Sequence, residues 1–228
     1  MKSGLYLVGT PIGNLSDISE RALETLRETD VILAEDTRHT RKLLSRYDIH
    51  TQLVSVHKFN EAARVDAVLS RIRQGAAVAL VSDAGMPCIS DPGARMVTAC
   101  HDAGVTVTVL PGPSSVSAAL AVSGMCYGPF VFEGFLPPKS GGRLRRLGEL
   151  AEESRPVVLF ESPYRLLKLL ALLQQVMPER RICVAREMTK RFEQINCGTP
   201  AELTAVYDGR TVKGEIVLVL EGFRVKRG

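Results

Sequence analysis

Residues 5–19 read LYLVGTPIGNLSDIS and place an apolar strand before a glycine-containing turn and the start of a helix. This order is typical of the first unit of a nucleotide-binding α/β protein. The turn fits neither common phosphate-binding pattern, because its glycine spacing is not G-x-G-x-x-G and no Lys-Ser or Lys-Thr pair follows Gly13. Pro11 also lacks the backbone N–H that would donate to a phosphate. The stretch therefore predicts an α/β fold, with the turn either contacting a different group or serving only as a tight connection.

The same alternation of strand and helix continues through the first half of the chain. Strand-like runs lie at residues 31–36, 51–57, 76–83 and 105–112, and helical patterns lie at residues 18–29, 40–47, 60–75, 94–103 and 114–124. Strands that alternate with helices predict a parallel sheet with right-handed crossovers. Because the strands are almost entirely apolar, we expect helices on both faces of that sheet.

The pattern changes after Gly128. Strand-like runs lie at residues 129–135, 155–162, 180–187, 191–198 and 214–222, with helical patterns only at residues 164–177 and 201–207. Strands so close together predict antiparallel pairs and a mixed sheet. We therefore expect an N-terminal α/β lobe over residues 1–116 and a C-terminal α/β lobe with a mixed sheet over residues 117–228.

Residues 136–150 read as a loop rich in proline and glycine, with four cations before the first acid. These cations are Lys139, Arg143, Arg145 and Arg146. Such a cluster predicts a flexible arm that contacts RNA phosphates, since nonspecific RNA affinity comes from lysine and arginine. The alternative is an ordinary solvated surface loop.

The composition limits the class of protein. Of 228 residues, 45% are hydrophobic and 24% are charged, which is enough for a globular core, and the net charge of +4 permits an anionic partner such as RNA. The five cysteines are odd in number and lack metal-ligand spacing, so we expect no disulfide framework, no metal and a reducing compartment. No apolar run has the length of a signal peptide or of a membrane span, which predicts a cytoplasmic protein without a membrane partner.

Two unusual loops follow the fourth and fifth strands. Residues 82–94 read SDAGMPCISDPGA, which is far longer than a plain connection, and residues 111–119 read PGPSSVSAA. Both loops lie at the carboxyl edge of the predicted sheet, where open α/β folds bind ligands. A dinucleotide site remains an alternative because Glu35 and Asp36 end the second strand, where such a site carries an acid.

Eight segments, in order and spread from residue 4 to about residue 222, resemble the tetrapyrrole methylase superfamily. They are GTPIGNLSDIS, AEDTRHT, LVSDAGMPCISDPG, VLPGPSS, FEGFLP, LFESPYRL, AREMTKRFE and KGEIVLVLEG. The resemblance implies two α/β lobes with S-adenosylmethionine in the cleft between them, usually in a homodimer. Within the superfamily it is strongest to the branch that methylates the ribose 2′-hydroxyl of a cytidine in the decoding centre of 16S rRNA, with the 30S subunit as the expected context. The first loop is not of the G-x-G-P-G type that tetrapyrrole-binding members carry, which disfavours a tetrapyrrole substrate.

The resemblance also implies roles for particular residues. The first loop, with Pro11, would face the substrate and methyl side of the cofactor, and Phe160, Met188 and Ile216 would bracket the adenine unless they are simply core residues. The implied cofactor contacts are Pro11, Ser82, Asp83, Ala84, Gly85, Ile89, Ser114, Ser115, Phe160, Met188 and Ile216. For the two serines, helix capping alone is the alternative.

A ribose hydroxyl is a weak nucleophile and needs a base or an orienting group. The candidates for this role are Asp36, Arg38, His57, Asn60 and Glu187, and the sequence does not choose among them. For Asn60 the alternative is a helix N-cap.

Two other functions remain open, a small-molecule methyltransferase of the tetrapyrrole type on the same fold and a non-catalytic ribosome-assembly module. Residues 119–130 combine small and apolar groups. We expect them to contribute to the homodimer interface, with the core of a single chain as the alternative.

Overall fold

The computed structural model describes residues 1–223, which form two compact units. The N-terminal unit spans Met1–Ser114, and the C-terminal unit begins at Ser115. Each unit contains its own five-stranded sheet, the first parallel and the second mixed, so the predicted fold class is confirmed. None of the helices in residues 1–223 combines the length and the apolar character that crossing a membrane requires.

The sheet of the N-terminal unit has the strand order β3-β2-β4-β1-β5, and all its paired strands are parallel. The strands are β1 (Gly4–Val8), β2 (Val31–Ala34), β3 (Gln52–Ser55), β4 (Ala77–Val81) and β5 (Val107–Leu110). Strands β2 and β4 are buried at every position, as their continuous apolar sequence predicts. Because all five strands run in the same direction, the loops that follow them meet at one edge.

Helices cover both faces of this sheet. They are α1 (Glu20–Glu28), α2 (Thr37–Arg46), α3 (Glu61–Arg73) and α4 (Ala94–Asp102). Helices α1 and α2 pack on one face and α3 and α4 on the other, each with its own apolar cluster. Side-chain caps fix where helices begin, since Ser19 accepts a hydrogen bond from the Ala22 N–H and Asp36 accepts one from the Arg38 N–H.

The sheet of the C-terminal unit has the strand order β6-β7-β10-β8-β9. Its strands are β6 (Val131–Phe135), β7 (Val157–Glu161), β8 (Ile182–Arg186), β9 (Gln194–Gly198) and β10 (Ile216–Leu220), and its helices are α5 (Ser115–Ser123), α6 (Ser140–Leu150), α7 (Leu166–Val176) and α8 (Pro200–Tyr207). Only β6 and β7 pair in parallel, and the other three pairs are antiparallel. One face carries the leucine-rich cluster with α6, α7 and α8, and the other face carries α5.

The prediction of a flexible basic arm at residues 136–150 is wrong. Residues 140–150 form helix α6, and Arg143 is buried, with its guanidinium donating to the carbonyl oxygens of Pro137 and Pro138. The Arg146 guanidinium is held by Glu133 and Glu149 at 2.6–2.7 Å. Local composition suggested a loop, whereas the observed segment is a helix whose arginines are held by carbonyl groups before the helix, by Glu133 of β6 and by Glu149 of α6 itself.

The predicted interface segment, residues 119–130, is buried at three positions and exposed at most of the others. Ala119, Leu120 and Met125 are buried against the α5 face of the sheet. Tyr127 and Phe130 remain exposed. This burial does not test the interface, so the interface and the homodimer both stay predictions.

Candidate functional site

The turn after β1 is joined to the loop after β4 by backbone hydrogen bonds. The Thr10 N–H donates to the Gly85 carbonyl at 2.9 Å, and the Gly85 N–H donates to the Thr10 carbonyl at 3.1 Å. The Thr10 hydroxyl, which is buried, reaches the Ser82 carbonyl at 3.1 Å. The position of Gly85 is thus fixed by the first turn, and its φ of +89° is one that favours glycine.

Gly9 and Gly112 allow the turns after β1 and β5 to touch. A Cβ atom on Gly9 would lie 2.7 Å from the Gly112 Cα and 2.8 Å from the Met86 Sδ. A Cβ atom on Gly112 would meet the Gly9 Cα at 2.8 Å. Side chains larger than hydrogen are therefore excluded where these loops converge, and Pro11, which follows Gly9 and Thr10, is itself buried.

The loop after β4 has an irregular backbone over residues 82–93. Cys88 and Ser90 adopt left-handed φ values of 70° and 65°, and Gly93 has a φ of 131°. These conformations turn the side chain of Ile89 outward, where 49% of it is exposed, and Ala84 is exposed as well. Residues in such strained backbone persist only where their surroundings hold them, and they cluster at ligand sites.

Three carboxyl groups at this edge influence one another electrostatically, on Glu35, Asp83 and Asp91. Burial raises the pKa of Glu35, and the charges of Asp91 and Asp83 raise it further, against the opposing effect of Lys58 and His57. Burial also raises the pKa of Asp91, which accepts a hydrogen bond from Ser82 and feels the charge of Asp83. Sequence reasoning considered Glu35 as the strand-end acid of a possible dinucleotide site and did not single out Asp91. The signal for Asp91 was its place in the long loop after β4.

Asp36 is engaged by the start of helix α2. Its carboxylate accepts hydrogen bonds from the Arg38 N–H at 2.8 Å and from the Arg38 guanidinium at 2.8 and 3.1 Å. The bonds from Arg38 hold the pKa of Asp36 well below its usual range. The Asp36 N–H in turn donates to Asp83 Oδ1 at 3.0 Å, so Asp36 meets the predicted cofactor loop through its backbone.

The segment after β3 is held by Asn60. Its Oδ1 accepts from the His57 N–H at 2.8 Å, and its Nδ2 donates to the Ser55 carbonyl at 3.3 Å. Although Asn60 occupies the N-cap position of α3, its side chain makes no capping bond, so the N-cap alternative is wrong in its chemistry. Asn60 instead shapes the turn that presents His57.

Glu61 was missed by sequence reasoning. Its carboxylate is buried, and Oε1 accepts from the N–H groups of Gly93, Arg95 and Met96 at 3.0–3.2 Å. An acid in the first turn of α3 is expected to interact with the N-terminus of that same helix. Here it caps α4 and anchors the end of the loop after β4.

In the C-terminal unit, the three residues predicted to bracket an adenine lie on two different faces. Phe160 and Met188 belong to the apolar cluster on the α5 face. Ile216 is buried in the opposite cluster with α6, α7 and α8. Adjacent strands place Ile216 opposite Glu161 and Val217 opposite Phe160, and side chains alternate along a strand. The Ile216 side chain therefore does not share a surface with the other two.

Glu187 follows the neighbouring strand β8 and has a left-handed φ of 52°. Its carboxylate accepts from Lys190 Nζ at 2.8 Å and from the Glu215 N–H at 3.0 Å. Burial opposes ionisation of Glu187, but these hydrogen bonds outweigh it and lower its pKa. A Cβ atom on Gly214 would overlap the Glu187 carboxylate, so this arrangement requires glycine at position 214.

A buried ion cluster lies at the end of β7. The Glu161 carboxylate, 1% exposed, accepts from Arg165 Nε at 2.6 Å and lies 3.9 Å from the Arg143 guanidinium, whose side chain is 5% exposed. The cluster joins α6 to the segment that follows β7, and no local pattern in the sequence indicated it.

The predicted site residues thus fall into two groups. In the N-terminal unit, Pro11, Asp36, Ser82–Gly85, Ile89, His57 and Asn60 all lie on loops at the carboxyl edge of the sheet, and Ser114 follows β5 at the same edge. Ser115, Phe160, Met188, Glu187 and Ile216 belong to the C-terminal unit. Over residues 1–223, no group of three or more His, Cys, Asp or Glu side chains is arranged to hold a metal ion.

A parallel sheet with elaborate loops at its carboxyl edge, followed by a mixed sheet, defines a ligand-binding α/β protein of two units. The chain belongs to the tetrapyrrole (corrin/porphyrin) methylase family, whose model matches residues 4–204. The predicted family is therefore confirmed.

Relatives that match almost the whole chain carry a more specific name. The chain is 46% identical to ribosomal RNA small subunit methyltransferase I of Thermotoga maritima, over 96% of this chain and 98% of that protein. It is 48% identical to the protein of the same name from Synechocystis, over 96% of this chain and 78% of that protein.

Solved structures share the fold at low sequence identity. The methyltransferase CobJ superposes with a TM-score of 0.71 at 18% identity, covering 98% of this chain and 97% of that one. Uroporphyrin-III C-methyltransferase from Thermus thermophilus, solved with S-adenosylhomocysteine, superposes with a TM-score of 0.64 at 21% identity, covering 96% and 97% of the two chains.

Proposed function

We propose that this protein transfers the methyl group of S-adenosylmethionine to 16S ribosomal RNA, at the ribose 2′-hydroxyl of a cytidine in the decoding centre. The observation that carries the proposal is the 44–48% identity, over at least 95% of the chain, to relatives named for small-subunit rRNA methylation. The 2′-hydroxyl and the decoding-centre cytidine come from the resemblance of the eight sequence segments. We also propose that the protein acts in the cytoplasm and as a homodimer.

The loops of the N-terminal unit fit the cationic cofactor. When bound, S-adenosylmethionine supplies an electrophilic methyl group on a positively charged sulfonium. Asp83 and Asp91 provide negative charge at this edge, and within residues 1–223 neither forms an ion pair with a lysine or an arginine. Gly85, which is bonded to Thr10, follows Asp83 by two residues, and a Cβ atom on it would lie 3.5 Å from Ile12 and from the Pro113 carbonyl. Asp83, Gly85 and the exposed Ala84 and Ile89 are the residues that would hold the methionine end.

Glu35 is the side chain best suited to accept the proton of the ribose hydroxyl. Burial and the charges of Asp91 and Asp83 raise the pKa of Glu35, which makes its carboxylate a stronger base than an ordinary glutamate. Asp36 and Glu187 are poorer bases, because hydrogen bonds lower the pKa of both carboxyls. The Phe59 N–H donates to His57 Nδ1 at 3.3 Å, so a neutral His57 carries its proton on Nε2 and can orient an acceptor oxygen. Alignment of donor and acceptor supplies most of the rest of the rate.

Methyl transfer tests the proposal directly. Tritiated S-adenosylmethionine is incubated with 30S subunits that lack ribose methylation, with free 16S rRNA and with a uroporphyrinogen. We expect label in the 30S subunit, in a nucleotide whose 3′ phosphodiester resists alkaline hydrolysis, since a 2′-O-methyl group removes the attacking hydroxyl. Label on a base, or on neither RNA, contradicts the proposal.

A tetrapyrrole substrate is the second candidate. It is favoured by the uroporphyrin-III C-methyltransferase structures, which share the fold at 21% identity and carry a tetrapyrrole in their name. Label in the uroporphyrinogen alone would select it. For the homodimer, sedimentation equilibrium at micromolar concentration is decisive, because a mass near the chain mass of 24.8 kDa contradicts it.

A further inference from the structure

The segment after β3 presents an aromatic ring that the proposed chemistry does not use. Phe59 is 83% exposed. His57 meets its ring edge-on at 6.0 Å between ring centroids, and Lys58 Nζ lies 4.9 Å from the ring centroid. Phe132 and Phe135, by contrast, each pack against another phenylalanine, Phe160. The neighbours of the Phe59 ring are instead an imidazole and an ammonium group.

The backbone that carries the ring is held by hydrogen bonds. The Phe59 N–H donates to His57 Nδ1, and Asn60 fastens the same turn to the Ser55 carbonyl and the His57 N–H. A fixed turn lowers the entropy that is lost when a partner binds the ring.

The location of the ring is beside the proposed site. Strands β2 and β3 are neighbours, and the Val56 N–H donates to the Ala34 carbonyl at 2.8 Å, so the segments that follow them leave the sheet side by side. Lys58 and His57 are close enough to lower the pKa of Glu35, which also feels Asp83 and Asp91. The turn that carries Phe59 therefore lies next to Glu35, the proposed proton acceptor, and near Asp83 and Asp91, the acids proposed to face the cofactor.

Cations accompany the exposed ring. Lys58 and Arg38 follow the two adjacent strands, and the Arg38 side chain is 86% exposed while its guanidinium also binds the Asp36 carboxylate. An exposed aromatic face beside cations is the pattern by which proteins hold unpaired nucleotides, because the ring stacks on a base while the cations meet phosphates. Bases in a duplex are already stacked and cannot reach such a ring.

We propose that Phe59 is a stacking platform for an unpaired base of the RNA substrate, with Lys58 and Arg38 contacting the adjoining phosphates. This inference rests on the proposed rRNA substrate and adds a specificity residue to it. It requires that the methylated nucleotide lie in a loop or a single-stranded segment.

The absence of tryptophan from the chain allows a direct test. In the Phe59→Trp variant the only indole would be at the proposed platform. A single-stranded RNA oligonucleotide should quench its fluorescence by stacking, and the same sequence in a duplex should not. The matched control is Tyr164→Trp, because Tyr164 is 88% exposed but, among the described residues, no cation lies over its ring, so its indole should not be quenched.

Binding measurements complete the test. We expect Phe59→Ala to weaken affinity for the single-stranded RNA about 5- to 100-fold, the range given by loss of one stacked base, while Phe59→Tyr binds like the wild type. Affinity for S-adenosylmethionine should be unchanged in Phe59→Ala, which also shows that the variant is folded. Undiminished RNA affinity in Phe59→Ala, indole fluorescence of Phe59→Trp that stays unquenched at saturating RNA, or no RNA binding by the wild type would each overturn the inference.

The same experiment separates the two proposals. Methyl transfer by the wild type with no effect of Phe59→Ala on KM for the 30S subunit rejects the platform and leaves the proposed function standing. Quenching by single-stranded RNA without methyl transfer to any RNA rejects the proposed function and supports RNA stacking at Phe59.

Discussion

The N-terminal and C-terminal units build comparable sheet edges by different means. In the N-terminal unit the loops at the carboxyl edge are held by backbone contacts, such as the Thr10–Gly85 bridge and the contact of Gly9 with Gly112. In the C-terminal unit, where β7 ends, the edge is held by buried charges centred on Glu161. The first arrangement depends on the absence of side chains, and the second depends on charges that remain paired. The two edges should therefore fail for different reasons.

The largest expected effect comes from the charged edge. Glu161→Gln should lower the free energy of unfolding by about 3 kcal/mol, because Arg143 would be left as a buried cation without its anion. Urea unfolding measures the change. The matched control is Glu149→Gln, since the Glu149 side chain is 52% exposed in its pair with Arg146 and should contribute little. If Glu161→Gln were as stable as the wild type, buried charges would not be what holds the edge of the C-terminal unit.

A smaller loss is expected from the glycine contact. Gly9→Ala should destabilise the protein by about 2 kcal/mol, as overpacking of a filled site does, and should weaken S-adenosylmethionine binding. The control is Gly148→Ala in α6, where an added Cβ meets nothing within 4 Å and should be neutral or stabilising. If both variants unfold alike, the close approach of Gly9 and Gly112 is not what holds the edge.

Cofactor affinity sharpens the comparison within the N-terminal unit. Asp83→Ala should weaken S-adenosylmethionine binding by at least about 1.4 kcal/mol, a factor of ten, because Asp83 both carries charge and holds the Asp36 N–H. Asp36→Ala should weaken binding much less while it lowers turnover, since its carboxylate is engaged by Arg38. Calorimetry that gave the opposite order would favour a dinucleotide-type role for the acids after β2.

The smallest effect concerns pH, and its sign differs between the two units. The pKa of Glu35 is raised above 4.5, so its ionisation costs stability at neutral pH, and this cost is relieved as pH falls through the raised pKa. The pKa of Glu187 is lowered below 4.5, so its stabilisation is present above that value and is lost as pH falls through the lowered pKa. Thermal unfolding should show Glu35→Gln gaining stability at pH 7 and Glu187→Gln losing it. Shifts of the same sign would contradict both assignments.

The fold followed from local patterns because the strands are short apolar runs whose period does not depend on their partners. Residues 76–83 read as a buried strand without knowledge of what covers them, and the loop after β4 could be recognised by its length and composition. Chain alternation then placed the ligand edge.

The rest depended on contacts between distant segments. Residues 140–150 contain two adjacent glycines, and this composition predicts a loop. They form a helix instead, in which the buried Arg143 guanidinium contacts the carbonyl groups of Pro137 and Pro138 and the Glu161 carboxylate. The alternation of side chains along a strand predicts that each residue points to one face of the sheet. Only the register between β7 and β10 shows that Phe160 and Ile216 point to opposite faces. The capping of α4 by Glu61 likewise joins two helices whose relation no local pattern reports.

The central place of β10 in the C-terminal sheet also bears on synthesis of the chain. All strands of the N-terminal sheet are complete at Leu110, whereas β10, which lies between β7 and β8, begins only at Ile216. At about 5–20 residues per second, a ribosome would make the first sheet roughly 5–20 s before it finishes the second. Until β10 is made, the β6–β7 pair and the β8–β9 pair cannot form one sheet, and the strand edges that β10 will pair with stay exposed. Arrested nascent chains ending near residue 210 should accordingly protect the N-terminal unit from protease while the second half is still cleaved.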